Sequence, residues 1–200
     1  MRQSQSGAPY NGPVNATTPP YAGLTPDAVL HAVESTGLLA DGRQLALNSY
    51  ENRVYQVGLE EGGAGPLGEA RFVVAKFYRP GRWSDAQILE EHAFALELAE
   101  REVPVVPPLA FDGRTLLEDG GFRFALFARR GGRAPELDDP KVLEWTGRFI
   151  GRIHAVGAAG SFAHRASIDV AEFGTAARDW LLASGFIPAD LREAWAGISA

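Results

Sequence analysis

A single lysine inside the most strand-like stretch of this chain constrains the fold more than any other feature. The run Phe72-Val73-Val74-Ala75-Lys76-Phe77-Tyr78 is apolar except for that lysine, and its β-branched and aromatic residues suit a half-buried pleated surface. Side chains alternate along a strand, so Lys76 shares a face with Phe72 and Val74. One reading is an edge-strand lysine whose stem covers apolar surface while its head reaches water. The other is a fixed ammonium that meets an anion. Lysine occurs only at positions 76 and 141, every other basic side chain being arginine. A compact ammonium reaching a phosphate does not need arginine's planar fork, which favours the second reading.

The segment after this strand predicts a helix with a clear start. Ser84 and Gln87 have capping-box spacing, Trp83 and Ile88 have staple spacing, and the helix should run to about Arg101. At ~100° per residue, Ile88, Leu89, Ala93, Ala95, Leu96, Leu98 and Ala99 form one apolar arc. Glu90 and Glu97 fall opposite, where solvated charge belongs, whereas Glu91 falls inside the arc. A carboxylate on a buried face needs a partner, and the ammonium on the preceding strand is the natural one. The competing reading is a glutamate at the edge of the stripe that reaches water.

The remaining segments order themselves around this pair. Residues 1–23 are rich in Gly, Pro, Asn, Thr and Ser and are expected to be a disordered tail. Thr25 caps a short helix through about Ser35, with Pro26 in its first turn and Leu24 placed to staple against Val29. Leu45–Leu47 and Arg53–Leu59 have strand character, separated by the polar turn Asn48-Ser49-Tyr50-Glu51-Asn52. After the long helix, Val103–Leu109 is extended. Asp112-Gly113 and Gly120-Gly121 then mark hairpin turns around Thr115–Glu118 and Phe122–Phe127. A polar stretch, Arg129–Glu136, reads as a linker. Asp138 or Asp139 with Pro140 opens a second long helix to about Val156, with Val142, Leu143, Thr146, Phe149, Ile150 and Ile153 on one stripe. Residues from Ser167 onward read as helical. The sum is an α+β lobe, residues 24–130, followed by a linker and the start of a helical one, residues 131–200.

Composition narrows the function classes. The net charge of −6 leaves no positive surplus for nucleic acid or anionic membrane. The absence of cysteine excludes disulfides and thiolate metal sites and fits a cytoplasmic address. No run approaches the ~20 apolar residues that span a bilayer. Three motif-like stretches carry little weight. Gly63-Ala64-Gly65-Pro66-Leu67-Gly68 has the spacing of a dinucleotide fingerprint but is followed by a strand and contains Pro66, so it reads as a hairpin loop. His164-Arg165 is followed by Ala166, and Asp138-Asp139 reads as a helix cap. His31 and His154 read as surface or packed histidines.

Strand lysine, helix glutamate and a hairpin leading to a linker follow the nucleotide-site logic of kinases. Three segments carry a closer likeness: Leu47-Asn48-Ser49-Tyr50-Glu51-Asn52-Arg53-Val54-Tyr55-Gln56, Lys76-Phe77-Tyr78-Arg79-Pro80-Gly81-Arg82-Trp83 and Ile88-Leu89-Glu90-Glu91-His92. With Glu102-Val103-Pro104-Val105, Gly131-Gly132-Arg133 and Gly147–His154, the chain resembles the stress response kinase A family. These are bacterial serine/threonine protein kinases of the aminoglycoside phosphotransferase and choline kinase group. The resemblance implies a protein-kinase-like fold: an N-lobe with an antiparallel sheet and one main helix, then the beginning of a helical C-lobe. It further implies ATP and Mg2+ as cofactors, a protein hydroxyl as acceptor, Ser49 in a phosphate-covering turn, Lys76 on the phosphates and Glu91 as its partner. Phe127, Ala128 and Arg129 would form the adenine hinge. The covering turn departs from the usual glycine-rich pattern.

The family's His-Gly-Asp-x-His-x-Gly-Asn loop, which supplies the catalytic Asp and a metal-binding Asn, is absent, since no Asn follows Asn52. The expectation is a chain cut before its catalytic loop, with the catalytic Asp and metal ligands beyond Ala200. A natural pseudokinase or scaffold, a small-molecule kinase of the choline or aminoglycoside type, and a partner-docking role for Arg129–Arg133 stand as alternatives.

Overall fold

The computed structural model describes residues 19–60 and 70–199. The first eighteen residues of the expected disordered tail and the glycine-rich loop at Gly63–Gly68 lie outside the described residues. The described residues divide into two compact units, one ending at His164 and the other starting at Arg165.

The first unit is built on a five-stranded antiparallel sheet in the order β1-β2-β3-β5-β4. Its strands are β1 (Ala40–Leu47), β2 (Arg53–Leu59), β3 (Phe72–Phe77), β4 (Leu117–Asp119) and β5 (Phe122–Ala128). The lysine-bearing strand is therefore central, flanked by β2 and β5, and Lys76 sits opposite Val54 on one side and Ala125 on the other. Alternation along β3 sorts its residues by face. Val73, Ala75 and Phe77 are fully buried and join Val57, Phe124 and Leu126 in a core closed by helix α1 (Pro26–Glu34) through Val29, Ala32 and Val33. Lys76 and Tyr78 project from the opposite face, where Tyr78 packs with Ile88 of helix α2 (Asp85–Glu100) and Ala125.

Both helix starts follow the predicted capping. The Thr25 hydroxyl accepts from the Ala28 N–H. The Ser84–Gln87 capping box is complete in both directions, and Trp83 packs beside Ile88 as the staple requires. The hairpin turns also match their residues. Asp112 and Gly113 have φ of 48° and 75°, and Gly120 and Gly121 have 55° and 80°, the left-handed pairs that a two-residue hairpin turn needs.

Three features differ from the expectations. Order starts before Leu24, because the Tyr21 hydroxyl donates to the Glu51 carbonyl at 3.0 Å and its ring stacks on Phe122. Burial raises the Tyr21 phenol to about 12, so it stays a donor. Strand β1 begins at Ala40, well before Leu45, because its pairing with β2 extends to Ala40–Leu59. Helix α3 (Pro140–Gly157), capped by Asp139 as expected, carries the apolar stripe, but of its residues Val156 alone, at the C-terminal end, is buried. There Val156 and Ile153 pack on Leu98 and Val103, while Leu143 and Ile150 stand about half exposed.

The second unit contains a π-helical stretch, Ala171–Ala176, continuing into α4 (Ala177–Ser184), and then α5 (Arg192–Ile198). No helix among the described residues is long and apolar enough to cross a membrane.

The capping box fixes where α2 begins and hence which residues face β3. Replacing Ser84 with Ala leaves the Gln87 N–H without its acceptor and should cost about 1 kcal/mol, measured by urea denaturation. No change would mean that the staple alone sets the start of the helix.

Candidate nucleotide site

Lys76 and Glu91 meet as their placement on strand and helix demands. The Lys76 ammonium donates to a Glu91 carboxylate oxygen at 2.9 Å, and both side chains are partly shielded from solvent. The ammonium also lies 4.8 Å from the centre of the Tyr78 ring. Such a half-shielded pair contributes little net stability, since desolvation offsets most of the Coulomb attraction. Its consequence is geometric: a cation is held at a fixed place and direction.

That cation borders a pocket of about 290 Å³ lined by Val54, Val74, Lys76, Glu91, His92, Ala95, Val106, Pro108 and Phe127. One end is charged and the remainder is mostly aliphatic and aromatic, the chemistry of a site for a flat apolar group joined to an anion. Phe127 reaches the pocket from β5, where it forms an isolated bridge with Pro108. Ala128 closes the pairing of β5 with β3 opposite Val73. Arg129 leaves the sheet there, and its guanidinium donates to the Gln56 side chain at 3.3 Å. Of the six residues assigned from sequence, Lys76, Glu91 and Phe127 line the pocket, whereas Ser49, Ala128 and Arg129 are not among its lining residues.

Ser49 is engaged in its own turn, its hydroxyl donating to the Asn52 carbonyl at 2.6 Å. The turn is anchored to the segment between β3 and α2. One Glu51 carboxylate oxygen accepts from Trp83 Nε1 at 2.8 Å and Arg82 Nε at 3.2 Å. The Asn52 side chain accepts the Arg79 N–H at 3.3 Å. The two most distinctive sequence segments, Asn48–Arg53 and Arg79–Trp83, are thus the two sides of one contact. A turn pinned in this way needs no glycine to hold its conformation.

Two expectations about α2 require correction. Glu90, placed on the solvated side from sequence, accepts the backbone N–H groups of Ala163 and His164, the latter at 3.0 Å. Gln87 donates to the His164 carbonyl at 2.9 Å, and Phe94 meets Phe162 edge to face at 5.3 Å. The second correction concerns the apolar arc. Leu89, Ala93 and Leu96 are exposed, while the buried positions are Ile88, His92 and Leu98. The helix packs on the sheet along one line and on residues 157–164 along another, so no single stripe describes it.

His92 is the site residue that the apolar reading passed over. It is almost fully buried, with Nε2 2.6 Å from the Tyr78 hydroxyl and Nδ1 2.9 Å from Thr115 Oγ1. Burial pushes the imidazole from its ordinary value of about 6.5 down to about 4, with the Lys76 charge acting in the same direction and Glu91 opposing it. Its position four residues after Ile88, one helical turn along the same face, was the available signal.

Comparison with known proteins shows the family. Residues 43–198 match the phosphotransferase enzyme family. The chain belongs to that family. It is similar to stress response kinase A of Shigella flexneri, at 45% identity over 86% of this chain and 50% of the relative. It is also similar to the serine/threonine protein kinase RdoA of Salmonella typhimurium, at 47% identity over 75% of this chain and 43% of the relative. The chain therefore spans about half the length of the curated relatives it matches. Among solved structures, an amicoumacin kinase in complex with AMP-PNP and Ca2+ superposes with a TM-score of 0.55 over 82% of this chain and 49% of its own, at 19% identity. At that identity the likeness shows the fold, which is the kinase-like arrangement expected for this family.

The two corrected residues generate two tests. Glu90→Gln removes the charge and turns one of the two accepting oxygens into an NH2 that cannot accept, and should destabilise by about 1 to 2 kcal/mol in chemical denaturation. A change near zero would return Glu90 to the status of a solvated charge. For His92, the folded value of about 4 lies below the ordinary 6.5. The unfolded chain therefore takes up a proton first as pH falls. The stability contribution is complete above pH ~6.5 and is lost as pH falls toward ~4, on the order of 3 kcal/mol. The NMR signals of the His92 ring should accordingly not titrate above pH ~5, and a midpoint near 6.5 would refute the burial argument.

Proposed function

We propose that this chain is the ATP-binding part of a serine/threonine protein kinase that acts in a stress response. The observation that carries the reading is the Lys76–Glu91 pair at 2.9 Å on the charged end of an otherwise apolar pocket. Lys76 would take the α- and β-phosphates while Glu91 fixes its direction, and the Ser49 turn would cover them with its N–H groups. Adenine would lie against Phe127 and take backbone hydrogen bonds from Phe127, Ala128 and Arg129. Residues 24–130 would form the N-lobe, and residues 131–200 the linker and first C-lobe helices. The protein-hydroxyl acceptor is supported by the serine/threonine kinase name of the Salmonella relative, and the stress role by that of the Shigella relative. A cytoplasmic site of action fits ATP as donor and the cysteine-free sequence.

The residues present fit ATP better than they fit a metal ion. The lysine and the apolar walls suit a nucleotide, but no group of three or more His, Asp or Glu side chains among the described residues could hold a cation. Magnesium would be held by the phosphates of ATP and by ligands supplied outside these residues. The sequence likewise contains no His-Gly-Asp loop to provide a base. In this proposal the 200 residues bind and orient the nucleotide, and the proton-accepting Asp comes from a segment outside them.

Lys76→Met keeps the apolar stem and removes the ammonium. It should weaken binding of a fluorescent ATP analogue by about tenfold or more, at least ~1.4 kcal/mol, with an unchanged circular dichroism spectrum. Equal affinity in the two proteins would reduce Lys76 to a strand residue and sink the site assignment.

A further inference from the structure

Lys76 has a second restraint besides Glu91, and it is built from residues that no comparison assigns to the site. Its ammonium lies over the Tyr78 ring at 4.8 Å from the centroid. The Tyr78 side chain is buried, with its hydroxyl 2.6 Å from His92 Nε2, and His92 Nδ1 is 2.9 Å from Thr115 Oγ1. Tyr78 directly follows β3, His92 lies in α2 and Thr115 in the segment before β4, so three parts of the chain meet in one hydrogen-bonded series. The network holds with either neutral tautomer: one ring nitrogen donates and the other accepts, and both Tyr78 and Thr115 can take the complementary role. A protonated ring would add a second positive charge close to Lys76, which is where the neutral form is favoured.

We propose that Tyr78, His92 and Thr115 act as a positioning relay that holds the phenol face under the Lys76 ammonium and so aims it at the bound phosphate. The functional half of this inference rests on the reading of the pocket as an ATP site. The physical reason for a ring in this role is that a carboxylate alone is an imperfect guide. Glu91 and a phosphate are both anions and compete for the same N–H donors, so the grip of Glu91 loosens as the nucleotide binds. An aromatic face attracts the cation through its quadrupole without occupying a donor. Lys76 can therefore keep its direction while its N–H groups turn from Glu91 to phosphate. The ring works only if it cannot withdraw or swing aside, and the hydroxyl bond to His92, itself held by Thr115, fixes the tip of the ring.

The two-lysine sequence makes the test direct. With 13C-ε-lysine labelling the chain shows two side-chain signals, from Lys76 and the exposed Lys141, and Lys76→Met assigns them. The ε-methylene protons of Lys76 should be shifted upfield of those of Lys141 by the ring current of Tyr78. Tyr78→Phe removes a hydroxyl and Thr115→Val replaces one with a methyl, each at nearly the same packed volume. Both should move the Lys76 signal toward that of Lys141 and weaken ATP-analogue binding about two- to fivefold. Tyr78→Leu should abolish the shift. A Lys76 signal that coincides with Lys141 in the parent protein overturns the inference, as do hydroxyl-deleted variants with parental shift and affinity. Parental analogue binding by Lys76→Met would overturn the ATP-site reading instead, and the lysine shifts would still decide whether the relay exists.

Discussion

An ammonium on the inner face of a central strand is the constraint around which this unit is arranged. The Lys76 side chain is mostly shielded from solvent between β2 and β5, so a counter-charge beside it is favoured, and a helix has to cross that face of the sheet at a defined register to supply one. The capping box at Ser84–Gln87 fixes that register by setting the first residue of α2, which places Glu91 two turns on and within 2.9 Å of the lysine. The core formed with α1 on the opposite face of the sheet gives β3 the rigidity that the pair needs. The polar site is a small feature on a hydrophobic scaffold, and its precision comes from the scaffold.

The same economy of contacts shapes the polar turn at Asn48–Asn52. A glycine-rich loop gains close approach to phosphate at the cost of conformational entropy in the free protein. Here Glu51, Asn52 and the Tyr21 hydroxyl tie the turn to residues 79–83 and to the chain before α1. The order of the turn therefore comes from contacts within the protein. The route from β3 to α2 is thereby shared: one short segment, Arg79–Trp83, anchors the turn on one side and staples α2 on the other.

How much of this was legible from residues alone follows the range of the interactions involved. Caps, hairpin turns and strand alternation are local, so Thr25, Ser84, Asp112-Gly113 and the face of Lys76 could be read directly. The first half of β1 could not, because Asp41-Gly42-Arg43 has no strand propensity and forms an irregularity between the paired positions Ala40 and Gln44. The helical wheel found Glu91 for a sound reason, a charge on an apolar arc, but misjudged Leu89, Ala93 and Glu90. It assumes one buried face, and α2 has two. His92 escaped because an imidazole counts as neither apolar nor charged on such a wheel, and its partners Tyr78 and Thr115 are distant in sequence.

Adjacent carboxylates on one helical turn point about 100° apart, and in α2 this geometry gives them different partners. Glu91 faces the sheet and holds Lys76, while Glu90 faces the chain after α3 and holds the backbone at Ala163 and His164. Gln87 and Phe94 extend the second line of contact by one turn in each direction. A helix gripped along two lines can neither roll nor slide without breaking hydrogen bonds on both. The placement of the lysine's counter-charge is therefore coupled to a segment outside the pocket lining, through a rigid element and with no intermediate chain of side chains. Any change that pulled residues 162–164 away from α2 would act first on the roll of the helix, and hence on the direction of Glu91, before it disturbed the sheet that carries Lys76.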